Sequence, residues 1–252
     1  MHTIDFSAPE FQVDGSFRQT RYRFEGNSLA GWQILRAGKP YLQLGPGFEC
    51  LTTHYCGICA TDMQRQALPF ALPQITGHEI SASNDKNQVV VVEINASHLA
   101  QGHGVSQCEY CQQGFHRHCP ERLTLGIDRL PGGFSPYVLA PQNAILPVPH
   151  SITALAASFI EPFAAAQRAL EISPPDEADA VAVLGPRRLG MLILLALLEH
   201  RKRNNCRYRI VAVIRNAKLR QTCLQLGADE VILSNGANIK SLQHPFDIVY
   251  ET

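Results

Sequence analysis

Neither sign of charge prevails in this 252-residue chain. Lys plus Arg and Asp plus Glu both number 22, so no global field draws it toward nucleic acid or an anionic membrane. Charged residues of any kind are scarce, at 17%, while 45% are hydrophobic, which excludes a disordered polymer and predicts a well-buried chain, compatible with a subunit interface such as a homo-oligomer has. The first ten residues, MHTIDFSAPE, have neither a basic start nor an apolar centre, so they do not read as a signal peptide. The longest apolar run, MLILLALL (Met191 to Leu198), is too short to span a bilayer. There is no internal repeat and no low-complexity tract. The basic stretch HRKRNNCRYR (His200 to Arg209) lacks interleaved aromatics and reads as a solvated connection rather than a nucleic-acid surface. A soluble, cytoplasmic protein with a small-molecule ligand is the expectation.

Eight cysteines are present, several beside histidines, which suits metal ligation in a reducing compartment better than a disulfide framework. The first two-thirds read as short strands. GWQILRAGKPYLQLGPGFECLTTHY alternates apolar and polar residues between Gly-Lys-Pro and Gly-Pro-Gly breaks, NQVVVVEI is a buried strand, and GGFSPYVLAP another. At EISPPDEADA the texture changes to a strand–helix alternation: AVAVLG, GMLILLALLEHRK, YRIVAVI, NAKLRQTCLQLG, DEVILS and FDIVY. That alternation predicts a parallel doubly wound sheet, with a β-rich domain over 1–173 and a dinucleotide-binding domain over 174–252. Four strands is fewer than the usual six or so, so the second domain reads as C-terminally incomplete, as a fragment or a shortened protein.

Three segments carry chemistry. YCGICATD places Cys59 in a glycine-flanked turn; nineteen residues on, TGHE supplies His78 and Glu79; IEPFAAA places Glu161 at a helix start. One thiolate, one imidazole and one or two carboxylates suit a zinc ion with a position left open for substrate. Singly, Cys59 is as well read as a small buried hydrophobe, His78 as a core histidine and the glutamates as surface groups. A β-rich half followed by a doubly wound half favours the joint reading.

The motifs GICATD, GHE, CEYC…G…C, GGFSPY and EPFAAA occur in the order found in zinc-dependent medium-chain alcohol dehydrogenases, and the chain from about Gly31 onward resembles their sorbitol- and threonine-dehydrogenase-like branch. The resemblance implies a GroES-like catalytic domain, a Rossmann domain and an active site between them. It implies that Cys59, His78 and Glu79 ligate catalytic zinc, with Glu161 a nearby or alternating ligand. It further implies that Thr61 begins a proton relay and that Asp62 orients the ligands. Cys108, Cys111 and Cys119 match the last three ligands of the family's four-cysteine structural zinc lobe, but Val105 stands where the first belongs. The preceding loop holds His98 and His103. His103 folding back is the expected fourth ligand, His116 and His118 are further candidates, and a metal-free loop or a redox Cys-x-x-C pair are the alternatives.

VAVLGPRRLG (Val181 to Gly190) nearly matches a G-x-G-x-x-G dinucleotide turn. Gly185 and Gly190 keep the first and third roles, whereas Arg187 occupies the position where backbone approaches pyrophosphate, and Pro186 removes an amide donor. Arg187 or Arg188 could instead pair with phosphate. Where an acidic residue would bind the adenosine ribose, Arg215 stands, favouring NADP over NAD; an ordinary exposed arginine is the equal alternative. Two functions follow: an NAD(P)-dependent oxidoreductase interconverting a secondary alcohol or polyol and its carbonyl compound, or a catalytically impaired relative retained as a zinc-containing or protein-binding subunit. A β-rich metal-storage protein is disfavoured by the alternation after Ala180.

Overall fold

The computed structural model describes residues 2–98, 100–101, 108–176, 180–234 and 246–252. It divides into two compact units, 1–161 and 162–252. The boundary falls inside a helix, one element before the Pro- and acid-rich stretch.

The first unit is built from antiparallel strands. β1 (His2–Phe11), β2 (Phe17–Asn27), β3 (Gly31–Arg36) and β4 (Lys39–Leu44) form a four-stranded meander in chain order. β5 (Phe48–Gly57), β6 (Glu79–Ser83), β7 (Val89–Val92), β10 (Tyr137–Pro141) and β11 (Ile145–Pro147) form a second sheet in the order β10-β5-β6-β7-β11. A short ladder joins β8 (Asn95–Ala96) to β9 (Leu123–Thr124). Period-two patterning explains the faces: in β2, Tyr22 and Phe24 are buried while Arg21 and Arg23 lie outside, paired with Asp5. One apolar core takes Phe6, Phe24, Trp32 and Ile34 from the first sheet and Phe48, Leu51, Ile80 and Val90 from the second. Each such side chain contributes about 1.5–3 kcal/mol by burial, and Trp32 Nε1 ties the sheets by donating to the Phe48 carbonyl at 2.9 Å.

The β1–β2 hairpin lies ahead of the segment that carried the resemblance. Its signal is Asp14-Gly15, with Gly15 at φ +81° between facing Phe11 and Phe17. Inside the hairpin Glu10 is 1% exposed. Arg36 grips it with both arms, at 2.6 and 2.8 Å, and the Tyr22 hydroxyl donates to it. Burial pushes the Glu10 carboxyl up, but the hydrogen bonds from Arg36, Tyr22 and Gln12 outweigh it and hold the group below its ordinary value.

Short helices α1 (Ala60–Met63), α2 (Glu109–Gln112) and α3 (Ala154–Ala157) decorate this unit, and α4 (Ile160–Ile172) runs across the boundary. The second unit contains β12 (Ala180–Leu184), β13 (Arg209–Ile214), β14 (Glu230–Leu233) and β15 (Ile248–Glu251), all parallel, in the order β14-β13-β12-β15. This is the 3-2-1-4 arrangement of a doubly wound sheet. α5 (Arg188–Arg203) follows β12 and α6 (Arg220–Gln225) follows β13. The apolar run beginning at Met191 is a buried helix face: Ile193, Leu194, Ala196 and Leu197 are sealed against the sheet core. Among the described residues, no helix is long and apolar enough to cross a membrane. The fold is α/β with a β-rich first unit.

Candidate active site and metal lobe

Two neighbouring strands of the second antiparallel sheet converge at their ends. β5 stops at Gly57, and two residues on Cys59 caps α1. β6 opens with Glu79, directly opposite Gly57 in the antiparallel register, with His78 just before it. Asp62 holds both arms: Oδ2 accepts from the Cys59 backbone N–H at 2.8 Å and Oδ1 from the Gly77 N–H at 3.0 Å. At 5% exposure it is a buried carboxylate satisfied by the two loops it joins. The GGF motif supports the same place from below, for Gly133 N–H donates to the Gly77 carbonyl at 2.8 Å. A Cβ on Gly132 would lie 2.4 Å from that oxygen, so the backbone approach needs glycine.

The ligand atoms of Cys59, His78 and Glu79 lie within 4.8 Å of one another. His78 and Glu79 are buried and Cys59 is half-buried. His78 Nδ1 is sealed from solvent without a hydrogen-bond partner, 3.8 Å from Asp62 Oδ1. Such an orphan costs about 1–3 kcal/mol, and a cation held by the three donors, turning the ring edge toward Asp62, would relieve it. One soft and two harder donors, different in kind, fit zinc. Thr61 Oγ1 accepts from the Cys59 thiol at 3.7 Å. Glu161, second residue of α4, stands outside the three-donor group but within its field. Burial pushes its carboxyl up, His78 pulls it down, and Glu79, Glu93 and Asp62 push it further up.

The second cysteine cluster is a closed four-donor set. Cys108 caps α2 and Cys111 lies within it, so the Cys-x-x-C spacing brings both to one side of a single turn. Cys119 follows a 3-10 turn at His116–His118. The fourth donor is His98, whose Nδ1 lies 3.5 Å from Cys119 Sγ, and all four ligand atoms fall within 4.8 Å. His116 and His118 are not in that group. His103 and Val105 lie outside the described residues. Sequence spacing did not single out His98, because its approach depends on the β8–β9 ladder pairing Ala96 with Leu123. The three cysteines are buried. The Cys111 backbone N–H, followed by the His98 ring, draws the Cys108 thiol down to about 7, toward the thiolate a metal needs. Burial drives the isolated Cys50 the other way, up to about 12.

In the second unit, Gly185 adopts φ +68° between β12 and α5, the bend expected of a first glycine. Gly190 is buried, and a Cβ there would meet Thr252 Oγ1 at 2.7 Å, the close packing expected of a third. Arg187, at the start of α5, and Arg188 are exposed, as is Arg215 after β13. Among the described residues these three arginines make no ion pair.

Residues 45–150 match the alcohol dehydrogenase GroES-like domain family. An L-threonine 3-dehydrogenase of Rhizobium johnstonii is 25% identical over 212 residues, covering 79% of this chain and 59% of that protein. A sorbitol dehydrogenase of Halalkalibacterium halodurans is 27% identical over 152 residues, covering 58% of this chain and 44% of that one. The chain therefore spans less than two-thirds of these relatives' length. A Sinorhizobium meliloti protein described as a zinc-binding dehydrogenase, solved with NADP bound, superposes with a TM-score of 0.73 at 22% identity, over 97% of this chain and 69% of that one.

Proposed function

We propose, from the match of residues 45–150 to the alcohol dehydrogenase GroES-like domain, that the chain is a medium-chain dehydrogenase, part or all of an NAD(P)-dependent oxidoreductase interconverting a secondary alcohol or polyol and its carbonyl compound. The observation that carries this reading is the convergence of Cys59, His78 and Glu79 on one point, with Asp62 clamping the loops that bear them. Those three residues would hold a zinc ion, and Glu161 would serve as a nearby carboxylate able to approach or leave. When bound, the ion supplies Lewis-acid polarisation of an alcohol or carbonyl oxygen. Thr61, whose hydroxyl sits beside Cys59, receives the alcohol proton and passes it toward solvent. Asp62 keeps the ligand backbones in place and gives His78 a carboxylate to face.

Gly185 and Gly190 shape the cofactor turn. Arg187 and Arg188 replace the missing glycine contact with charge–phosphate pairing, and Arg215 favours the 2′-phosphate of NADP over the free ribose of NAD. The names of the threonine and sorbitol dehydrogenases support a small substrate with neighbouring polar groups. A second zinc closed by Cys108, Cys111, Cys119 and His98 would serve structure alone, since four protein donors leave no open position. Free cysteines throughout support a reducing, cytoplasmic setting.

The test joins metal analysis with calorimetric titration of NADP and NAD, then turnover on a panel of secondary alcohols and polyols. Zinc in the protein, cofactor binding and turnover lost in Cys59→Ser are expected. Failure to bind either nicotinamide cofactor would remove the proposal.

A further inference from the structure

We propose that the second unit carries a metal site of its own, formed by Asp176, His200 and Cys206. None of the three belongs to the zinc, cofactor or lobe machinery described above, so the inference stands apart from the redox reading. Asp176 lies in the crossover between α4 and β12, His200 in the last turn of α5, and Cys206 three residues beyond that helix. Three separate stretches of chain thus bring an oxygen, a nitrogen and a sulfur within 4.8 Å of one another. His200 Nε2 is 3.3 Å from Asp176 Oδ1, and Cys206 Sγ is 3.8 Å from the same oxygen. Around a tetrahedral zinc ion, bonds of about 2.0–2.3 Å separate neighbouring donors by roughly 3.3–3.6 Å. The observed spacing is close to that frame.

The hydrogen bonds around His200 decide which nitrogen carries its proton. Tyr208 is 1% exposed, and its hydroxyl donates to the Leu197 carbonyl at 2.8 Å. A hydroxyl has a single proton. The 3.1 Å contact between that oxygen and His200 Nδ1 is therefore an Nδ1–H donating to Tyr208. Nε2 of the neutral ring then bears a lone pair, and it faces the carboxylate oxygen of Asp176. The Nε2 lone pair, the Asp176 oxygen and the Cys206 sulfur thus face one point, at distances a shared cation can span. A buried second partner that fixes the tautomer and frees the opposite nitrogen is the usual support of a metal-binding histidine. Without metal the Cys206 thiol donates to Asp176 Oδ1 and the Asn204 amide to Nε2; a divalent ion would take the place of the thiol proton and use all three donor atoms.

The Asn204 amide, whose Nδ2 is 2.9 Å from Nε2, completes the surroundings. Turned over, it presents its oxygen as a fourth donor; otherwise water fills that position, for the Asp176 side chain is 55% exposed. Mixed S, N and O donors select zinc or a similar borderline ion over magnesium or calcium. Binding releases the Cys206 thiol proton to solvent as the metal–sulfur bond forms. The ion would staple the crossover before β12 to the connection before β13.

The probe is zinc chloride added to the full chain after metal removal by chelation, with Cys206 read separately from the other cysteines by iodoacetamide labelling and peptide mass spectrometry. Saturating zinc should slow Cys206 labelling at least tenfold. Asp176→Asn, a change at an exposed side chain, should raise the half-protecting zinc concentration at least tenfold. In Cys206→Ser, bound zinc should fall by one ion per chain while protection of Cys59 and Cys108 stays as it was. Unchanged Cys206 labelling in zinc would overturn the proposal, as would protection indifferent to Asp176→Asn.

Discussion

Gly57→Ala isolates one carboxylate of the three-donor group. The residue is not at positive φ, so the backbone accepts alanine. Its added Cβ, however, would lie 2.0 Å from Glu79 Oε2 and 3.0 Å from Glu79 Cβ. Ordinary contact begins near 3.4 Å, so the carboxylate oxygen must withdraw by about 1.4 Å, whereas a metal–ligand bond tolerates roughly 0.2 Å. The oxygen is the free end of a flexible side chain, and the Glu79 Cβ need give only a few tenths of an ångström. The metal-free fold should therefore shift by no more than about 1 kcal/mol, while zinc affinity at this site falls at least tenfold, about 1.4 kcal/mol. Affinity is read at Cys59 itself, as the zinc concentration that half-protects its thiol, beside thermal melting of the metal-free protein. Gly126→Ala is the contrasting control. Its Cβ would strike the Gly77 backbone oxygen at 2.1 Å in a residue at φ +70°, so the fold itself should weaken. Equal zinc affinity in Gly57→Ala and the parent would refute Glu79 as a ligand.

Other expectations follow from the same geometry. Glu10 has its carboxyl lowered, so its contribution is fully present above the ordinary value of 4.5 and is lost as pH falls through the folded-state value. Glu10→Gln should cost about 1–3 kcal/mol at pH 7, and the gap to the parent should close on acidification, as followed by urea denaturation. His98→Asn should weaken metal in the cysteine lobe at least tenfold, read from the sulfur-to-cobalt charge-transfer absorbance on cobalt(II) titration; unchanged absorbance and affinity would exclude that ring as a ligand. Arg215→Ala should weaken NADP about tenfold in calorimetry and leave NAD unaffected, and equal losses for both would deny it a role in discrimination.

Much of the architecture was legible in order and period. The alternation after Ala180 specified four strands and the helices between them, and the structure pairs those strands in parallel. The Gly-Lys-Pro and Gly-Pro-Gly breaks mark the turns from β3 into β4 and from β4 into β5. The N-terminal hairpin carries its own strong local signal in Asp14-Gly15, ahead of the motif order that starts near Gly31. Cys59, His78 and Glu79 read as one group in the sequence, and β5, which leads to Cys59, pairs with β6, which opens at Glu79.

What the sequence by itself determined was the chemistry available and its local presentation: a cysteine at a turn, a Gly-His-Glu entering a strand, a glycine bend before a helix. These depend on short-range dihedral preferences and periodicity, which neighbouring residues set. Which distant side chains share a point was decided by tertiary structure alone. His98 meets Cys119 through a two-residue ladder between distant segments, and Asp176 meets His200 and Cys206 because a crossover passes the end of α5. Both meetings arise from long-range backbone pairing and core packing, whose partners no local pattern names.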